Sequence, residues 1–150
     1  MCIKLGAYAA INYSEADFAE WIPELTGGRG VDVVLDMVGA PYTMSNLRCL
    51  ATDGRLIQIG AMQGSIVENF DLMYIIMHRL IVTGSAMRSR TVKEKGMIAK
   101  ALRETVWPVL DAGRCGPVIH KVFLMEEAAA AHRLMENGTH IGKIILKVST

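Results

Sequence analysis

The chain has 150 residues, a net charge of +1 and a hydrophobic fraction of 51%, which suits about one domain with a substantial buried core. None of its apolar stretches approaches the roughly 18 uninterrupted apolar residues of a membrane span. The dispersed charges exclude a basic footprint for nucleic acid, and three widely spaced cysteines exclude a disulfide framework or a zinc site. The first ten residues lack the apolar core of a signal peptide, so we expect a cytoplasmic location.

The first half of the chain alternates between strand and helix patterns. Ser14, with an acidic residue three positions later, predicts a helix start, and Pro23 predicts a bend or a late start for that helix. A second helical spacing covers Asn46–Leu50, and Asp53-Gly54 predicts a chain break after it. Short apolar runs predict three strands, at Ala9–Tyr13, Val31–Asp36 and Arg55–Gly60.

The second half continues the alternation. Asp71–Arg79 predicts a short helix that is apolar almost all round and therefore largely covered. Thr91–Ala112 predicts a long helix that breaks near Trp107 and Pro108. Three further strands are predicted at Leu80–Ser85, Val118–Phe123 and Ile141–Val148. A last helix is predicted at Glu126–Glu136.

These elements predict an α/β fold with a doubly wound parallel sheet. Continuous apolar strands, rather than alternating ones, are typical of parallel sheets that helices cover on both faces. Ligands of such sheets bind just outside the carboxyl ends of the strands. Three of the predicted strands end in glycine, at Val38-Gly39, Ile59-Gly60 and Thr83-Gly84.

Several segments together resemble the medium-chain dehydrogenase/reductase superfamily, in particular its zinc-independent quinone oxidoreductase branch. The matching segments are LGAYAAINY at 5–13, GGRGVDVVLDMVG at 27–39, LATDGRLIQIG at 50–60, and LIVTGSAMRSR at 80–90. The last of these is most like the p53-inducible quinone oxidoreductases, and residues 101–148 resemble the carboxyl-terminal end of the family. The order and spacing of the segments make the resemblance specific.

The resemblance implies a partial Rossmann-type sheet that lacks its first two strands and the glycine-rich turn between strand and helix. No G-x-G-x-x-G occurs in the 150 residues, and that turn is where backbone N–H groups bind a pyrophosphate. We therefore expect the carboxyl-terminal portion of a larger enzyme, with residues 117–150 packing back toward a catalytic domain outside this chain. The implied activity is NADPH-dependent reduction of quinones or enones by hydride transfer without zinc, and we expect the chain alone to be inactive and to bind NADPH weakly or not at all.

The resemblance also implies cofactor-binding residues, without any catalytic residue or metal ligand. Tyr13 lies near the adenosine 2′-phosphate, which favours NADPH, although an ordinary half-buried aromatic at a strand end is the alternative. Asp36 with Val38 and Gly39 lies near the adenine and ribose, unless Asp36 only satisfies loop amides. The resemblance places the nicotinamide half of the cofactor beside two further strand ends and the turn before the last strand. The residues there are Gly60, Ala61 and Met62, then Ser85, Ala86 and Met87, and in the turn His140. For His140 the alternative is a solvated turn residue.

The missing strands pose a physical problem for the strand at Val31–Asp36. Strands 1 and 2 of the usual order separate strand 3 from strand 4, so without them this apolar edge is open and invites pairing. We expect Ala9–Tyr13 to dock onto it, or the chain to associate with another, or the sequence to come from a longer protein. The alternative to an enzyme fragment is a non-catalytic module, and in both cases a homo-oligomer through the edge at Leu80–Ser85 is implied.

Overall fold

A computed structural model of the protein describes residues 1–148. The chain divides into two compact units, one at Met1–Arg90 and one that begins at Thr91. Across residues 1–148 no helix is both long enough and apolar enough to cross a membrane.

The first unit is built on a three-stranded parallel sheet in the order β1-β2-β3. The sheet and its helices alternate along the chain, as the sequence predicts. The elements are α1 (Phe18–Leu25), β1 (Val31–Asp36), α2 (Thr43–Cys49), β2 (Leu50–Gln58), α3 (Leu72–His78) and β3 (Ile81–Gly84).

Helices α2 and α3 cover one face of this sheet. Leu47 of α2 and Leu56 of β2 are essentially inaccessible to solvent, and Leu50 and Leu80 complete the buried cluster. Partly buried side chains from both strands and both helices surround it: Val31, Val34, Met44, Tyr74 and Ile75. Burying a leucine side chain stabilises the fold by about 2 kcal/mol, so this cluster determines how the helices lie on the sheet.

The other face of the sheet is open within the first unit. Val33, Arg55 and Ile81 are register partners on that face, and all three are exposed. Leu35 is 62% exposed on the same face. The physical reason is that α2 and α3 both pack on the side of Leu56, whereas α1 packs against α2.

The predicted strand at Ala9–Tyr13 is wrong, and it does not dock onto β1. Residues 9–12 are irregular and Tyr13 lies in a turn. Asn12 directs this turn, because its side-chain oxygen accepts a hydrogen bond from the Ser14 amide at 3.2 Å and its carbonyl accepts one from Glu15 at 3.0 Å. A strand also needs a partner for its backbone groups, and in residues 1–148 β1 pairs only with β2.

Helix α1 begins three residues later than Ser14 predicts. Asp17 is the N-cap, and its carboxylate accepts a hydrogen bond from the Ala19 amide at 2.9 Å. The Asn12 turn occupies the intervening residues, so Ser14 cannot act as the cap. Pro23 lies inside the helix, where its missing N–H leaves the Ala19 carbonyl without the hydrogen bond it would otherwise accept.

Asp53-Gly54 does not break the chain but forms an irregularity inside β2. The register changes from Val31↔Leu50 to Val33↔Arg55, so the strand carries extra residues there. Asp53 has a left-handed φ of 66°. Its carboxylate accepts two hydrogen bonds of 2.8 Å from the guanidinium of Arg79, which lowers the pKa of Asp53.

Helix α3 forms as predicted, with Asp71 as its N-cap, but it is not largely covered. Only its Tyr74 and Ile75 side pack on the sheet, because a helix beside a three-stranded sheet presents one stripe to it. Four apolar residues on the rest of its surface are more than half exposed: Leu72, Met73, Ile76 and Met77.

The second unit contains two consecutive helices and a β-α-β unit. The long predicted helix is two helices, α4 (Val92–Thr105) and α5 (Trp107–Asp111), and the break lies at Val106, just before Trp107 and Pro108. Strands β4 (Ile119–Leu124) and β5 (Lys143–Lys147) are parallel and flank α6 (Ala128–Glu136). They form a separate two-stranded sheet, so the predicted strands are parallel but lie in two sheets rather than one.

Two neighbouring glycines before β1 provide a matched test of this packing. Gly28 and Gly30 both have left-handed φ, of 82° and 83°, but only a Cβ on Gly30 would lie 2.7 Å from the Cys49 carbonyl oxygen. We expect Gly30→Ala to lower the free energy of unfolding by about 3 kcal/mol or more, and Gly28→Ala by about 1 kcal/mol. Urea denaturation measures both, and equal losses would contradict the close contact between Gly30 and the start of β2.

Candidate functional site

The loops that follow β1 and β2 run side by side at the carboxyl edge of the sheet. The ladder extends past the strands, because the Ile59 amide donates to the Asp36 carbonyl at 2.8 Å. Three further backbone hydrogen bonds join the two loops, from Met62 to Met37 at 3.1 Å, from Gln63 to Val38 at 2.9 Å and from Ala40 to Gly64 at 2.9 Å. The predicted residues Asp36–Gly39 and Gly60–Met62 therefore belong to one surface.

Asp36 is the buried charge at this edge, with 5% of its surface exposed. Its carboxylate accepts hydrogen bonds from the amides of Val38 at 2.7 Å and Gly39 at 3.1 Å, and from Gln58 Nε2 at 2.9 Å. A buried carboxylate without such donors is strongly unfavourable. The Asp36 side chain thus satisfies loop amides, which is the alternative to cofactor contact that the sequence leaves open. Its carboxylate is buried among these donors.

Close backbone packing explains two of the strand-end glycines. Gly39 has a φ of 101°, and a Cβ there would lie 2.9 Å from the Ala61 Cα. A Cβ on Gly60 would lie 3.0 Å from the Met37 carbonyl oxygen. Glycine at both positions lets the two loops approach each other, so these residues define the shape of the surface through their backbone.

Tyr13 lines a cleft of about 280 Å³ next to the loop that follows β1. Its ring packs edge-on against Tyr42, with the ring centres 6.4 Å apart, and the Phe18 ring packs edge-on against Tyr42 at 5.3 Å. The polar side chains of the cleft belong to Tyr13, Tyr42, Ser45 and Asp17. An aromatic wall with three hydroxyl groups suits a flat ring that carries a polyol, such as a nucleoside.

Asp17 is the carboxylate among the residues that line this cleft, and its negative charge opposes the binding of a phosphate there. The N-terminus of α1, which Asp17 caps, offsets part of that charge.

The end of β3 lies next to that of β2, as predicted. The Ser85 amide donates to the Gln58 carbonyl at 2.9 Å, and the Ser85 hydroxyl accepts a hydrogen bond from Arg90 at 3.1 Å. Ser85, Ala86 and Met87 are all exposed. The three strand ends of the first unit therefore meet at one edge of the sheet. Tyr13 lies next to the loop that follows β1 at this edge.

His140 belongs to the second unit, so it is placed separately from the residues above. It is partly buried, and its Nδ1 is inaccessible to solvent and has no hydrogen-bond partner. Its ring lies 6.1 Å from that of His120, whose Nδ1 accepts a weak hydrogen bond from the Ile141 amide at 3.4 Å. A buried ring nitrogen without a partner indicates a place where a donor or acceptor is required.

Sequence reasoning missed Gln58 and Tyr42. Gln58 connects Asp36 to the β2 loop, and Tyr42 is the aromatic partner of Tyr13. The sequence signal for Gln58 was a single polar residue within the otherwise apolar run Leu56-Ile57-Gln58-Ile59. A polar side chain in a buried strand requires a hydrogen-bond partner.

Two kinds of chemistry are not provided by the described residues. Residues 1–148 contain no group of three or more His, Cys, Asp or Glu side chains that could hold a metal ion, so they do not fit a zinc ion. The buried thiol is Cys49, and desolvation, with a smaller contribution from the charge of Asp17, raises its pKa to about 11. It therefore stays protonated near neutral pH, and a thiol in that form is a poor nucleophile.

Residues 5–146 match the family model described as zinc-binding dehydrogenase. The chain is 36% identical to a 2-haloacrylate reductase from Burkholderia sp over 95% of its length, and 29% identical to the quinone oxidoreductase of Rattus norvegicus over 97%. These matches cover 43% of each relative, so the chain spans less than half the length of either protein.

Solved structures of similar proteins have the same fold. The crystal structure of a 2-haloacrylate reductase superposes with a TM-score of 0.77 at 32% identity, covering 98% of this chain and 46% of that one. A mycobacterial quinone oxidoreductase superposes with a TM-score of 0.73 at 27% identity, covering 95% and 44%. The parallel α/β architecture is thus the one found in the Rossmann-like cofactor-binding domain of these proteins.

The cysteines provide a direct check on the burial of the site's surroundings. Cys2 and Cys115 are exposed, whereas Cys49 is buried. We expect iodoacetamide at pH 8 to alkylate Cys2 and Cys115 readily and to leave Cys49 unmodified until the chain is unfolded, because alkylation requires a thiolate. Peptide mass spectrometry over a time course measures this. Modification of Cys49 at the rate of Cys115 in the folded chain would contradict the raised pKa and the packing of α2.

Proposed function

The chain belongs to the zinc-binding dehydrogenase family, within the medium-chain dehydrogenase/reductase superfamily, and from this we propose that it is part of the cofactor-binding domain of an NADPH-dependent reductase. The proposed substrates are quinones or related enones. They follow from relatives that are named quinone oxidoreductase and 2-haloacrylate reductase. A cytoplasmic location is part of the same proposal.

The observation that carries the proposal is the position of the Tyr13 cleft beside the joined strand-end loops. Pro41 and Tyr42, which line the cleft, lie two and three positions after Gly39 in the chain. A ligand with a flat ring in the cleft could continue along the loops to Gly60 and Ser85. A dinucleotide has this extended form and binds at the carboxyl ends of parallel strands.

In this proposal the chain's residues bind and orient the cofactor. Hydride transfer is the chemistry that the nicotinamide supplies when it is bound. Tyr13 would donate a hydrogen bond to the 2′-phosphate, and backbone groups of Gly60–Met62 and Ser85–Met87 would hold the nicotinamide half. Zinc has no part in the proposal, since the described residues do not fit it. Most of the substrate pocket would come from residues outside this chain, and the chain alone would be inactive.

The open edges of the sheet favour a second candidate function, a non-catalytic association module. Strands β1 and β3 are the two edges of the three-stranded sheet, and Ile81 and Val82 of β3 are 45% and 44% exposed. An exposed apolar edge pairs readily with another strand. We therefore propose a homo-oligomer that forms through Leu80–Ser85. Such an oligomer is compatible with both the reductase and the association module, so only cofactor binding distinguishes these two functions.

Cofactor titration tests the enzyme proposal. In backbone-amide NMR, we expect millimolar NADPH to shift the resonances of Gly39, Gly60 and Ser85, with no binding in the micromolar range, since the glycine-rich phosphate turn is missing from this sequence. Tyr13→Phe should reduce the preference for NADPH over NADH by about tenfold, because it removes a hydrogen bond to a charged phosphate. Shifts confined to other residues, or an unchanged preference in Tyr13→Phe, would contradict the proposal.

Sedimentation across a concentration series tests the oligomer. We expect association that Ile81→Lys abolishes, because a lysine on an edge strand opposes pairing with a second copy. Ile66→Lys is the matched control, since Ile66 is an exposed isoleucine in the loop after β2, 84% exposed. A strictly monomeric chain, or equal effects of the two substitutions, would contradict pairing through β3.

A further inference from the structure

We propose that Gln58 is a positioning residue that holds the adenosine-side and nicotinamide-side loops of the site in one arrangement. This inference rests on the proposed function. It concerns one nitrogen atom, Nε2, which donates a hydrogen bond to Asp36 Oδ2 at 2.9 Å and another to the Gly60 carbonyl at 2.6 Å. These two bonds are called the Gln58 clasp below.

The clasp joins two loops that are far apart in the chain. Asp36 Oδ2 also accepts the amide of Gly39, so the Asp36 side of the clasp belongs to the loop after β1. Gly60 begins the loop after β2. Asp36 and Gln58 are 22 positions apart in the chain. They are register partners, so the clasp bridges this separation at the rung where both strands end.

The chemistry of the clasp requires an uncharged double donor. Both acceptors are oxygen atoms, one of them on a carboxylate, so only the nitrogen of the amide fits between them and its two hydrogens are both used. Glutamate at the same position would place a second carboxylate beside Asp36. The identity of the residue is therefore tied to the bond pattern and not to its apolar surroundings.

Packing does not replace the clasp. A cavity of about 240 Å³ lies on the same face of the sheet and is lined by Gln58, Gly39, Ala61 and Thr43 among others. Gly84, the last residue of β3, is the register partner of Gln58 and carries no side chain that could pack against it. Because the loops lie over an open space, the hydrogen bonds at this corner must fix their positions.

Asp36 is the buried charge that contacts Gln58. The other charged side chains in β1, α2, β2 and the loop after β2 are all exposed: Asp32, Arg48, Asp53, Arg55 and Glu68. After β3, Arg90 is partly buried and donates a hydrogen bond to the Ser85 hydroxyl. A change at Gln58 therefore acts on Asp36 and on the loop amides that Asp36 holds.

The test compares Gln58→Glu with Gln63→Glu in the 150-residue chain. Gln63 lies in the loop after β2, is exposed, and its side chain makes no hydrogen bond within residues 1–148, so it adds the same charge without touching the clasp. At pH 7 we expect Gln58→Glu to speed hydrogen exchange of the Met62 and Gln63 amides, which bridge the loops, by about tenfold or more. The same variant should weaken the affinity for NADP⁺ by about tenfold. NADP⁺ serves as the probe because it survives acid.

Acid distinguishes positioning from general destabilisation. Two facing carboxylates raise the pKa of one of them above the ordinary value of about 4.3, so near pH 5 the introduced carboxyl regains a proton to donate to Asp36. We expect NADP⁺ affinity and amide protection in Gln58→Glu to recover partly at pH 5 relative to Gln63→Glu.

Each outcome decides the matter. Unchanged exchange of the loop amides overturns the proposal, and so does faster exchange with unchanged NADP⁺ affinity, which would reduce Gln58 to a purely structural role. A loss of affinity that acid does not relieve also overturns it. If the unmutated chain does not bind millimolar NADP⁺, the proposed function is overturned instead. This outcome is distinct from failure of the Gln58 proposal, because it is measured without any substitution.

Discussion

The buried carboxylate of Asp36 is the constraint on which the site depends. A charge with 5% exposure is tolerated only when hydrogen-bond donors surround it, and here the donors come from Val38, Gly39 and Gln58. Satisfying this one group bends the chain after β1 and, through Gln58, holds the chain after β2 against it. The surface that a cofactor would contact is therefore shaped by the donors around this buried charge together with the backbone hydrogen bonds that join the two loops.

The sheet places that charge where it can act. The parallel ladder between β1 and β2 brings their last residues into register, and the Leu47–Leu56 contact region fastens α2 over it. The same sheet leaves two strand edges and one face open within the first unit. Exposed apolar edges favour association, so binding of a cofactor and binding of another chain are both consistent with one architecture.

Sequence reasoning worked where local chemistry decides and failed where pairing decides. Local signals mark the glycine-terminated strands Val31–Asp36 and Leu80–Ser85, the start of the long helical segment at Thr91 and the break near Pro108. The structure has the predicted elements at these places. Ala9–Tyr13 has the composition of a strand, yet Asn12 forms a turn, and within residues 1–148 this segment pairs with no strand. Asp53-Gly54 has the composition of a break, yet the ladder continues through it as an irregularity.

The order and kind of these residues alone determined the β-α alternation, the parallel sense of the strands, the family and the edge of the sheet at which a site should lie. Periodicity and glycine position are properties of the chain itself. Only the tertiary structure decided that the strands form two sheets, that Tyr13 meets Tyr42 in a cleft, and that Gln58 connects Asp36 to Gly60. These contacts join residues distant in sequence, and their energies depend on burial and distance, which no local pattern records.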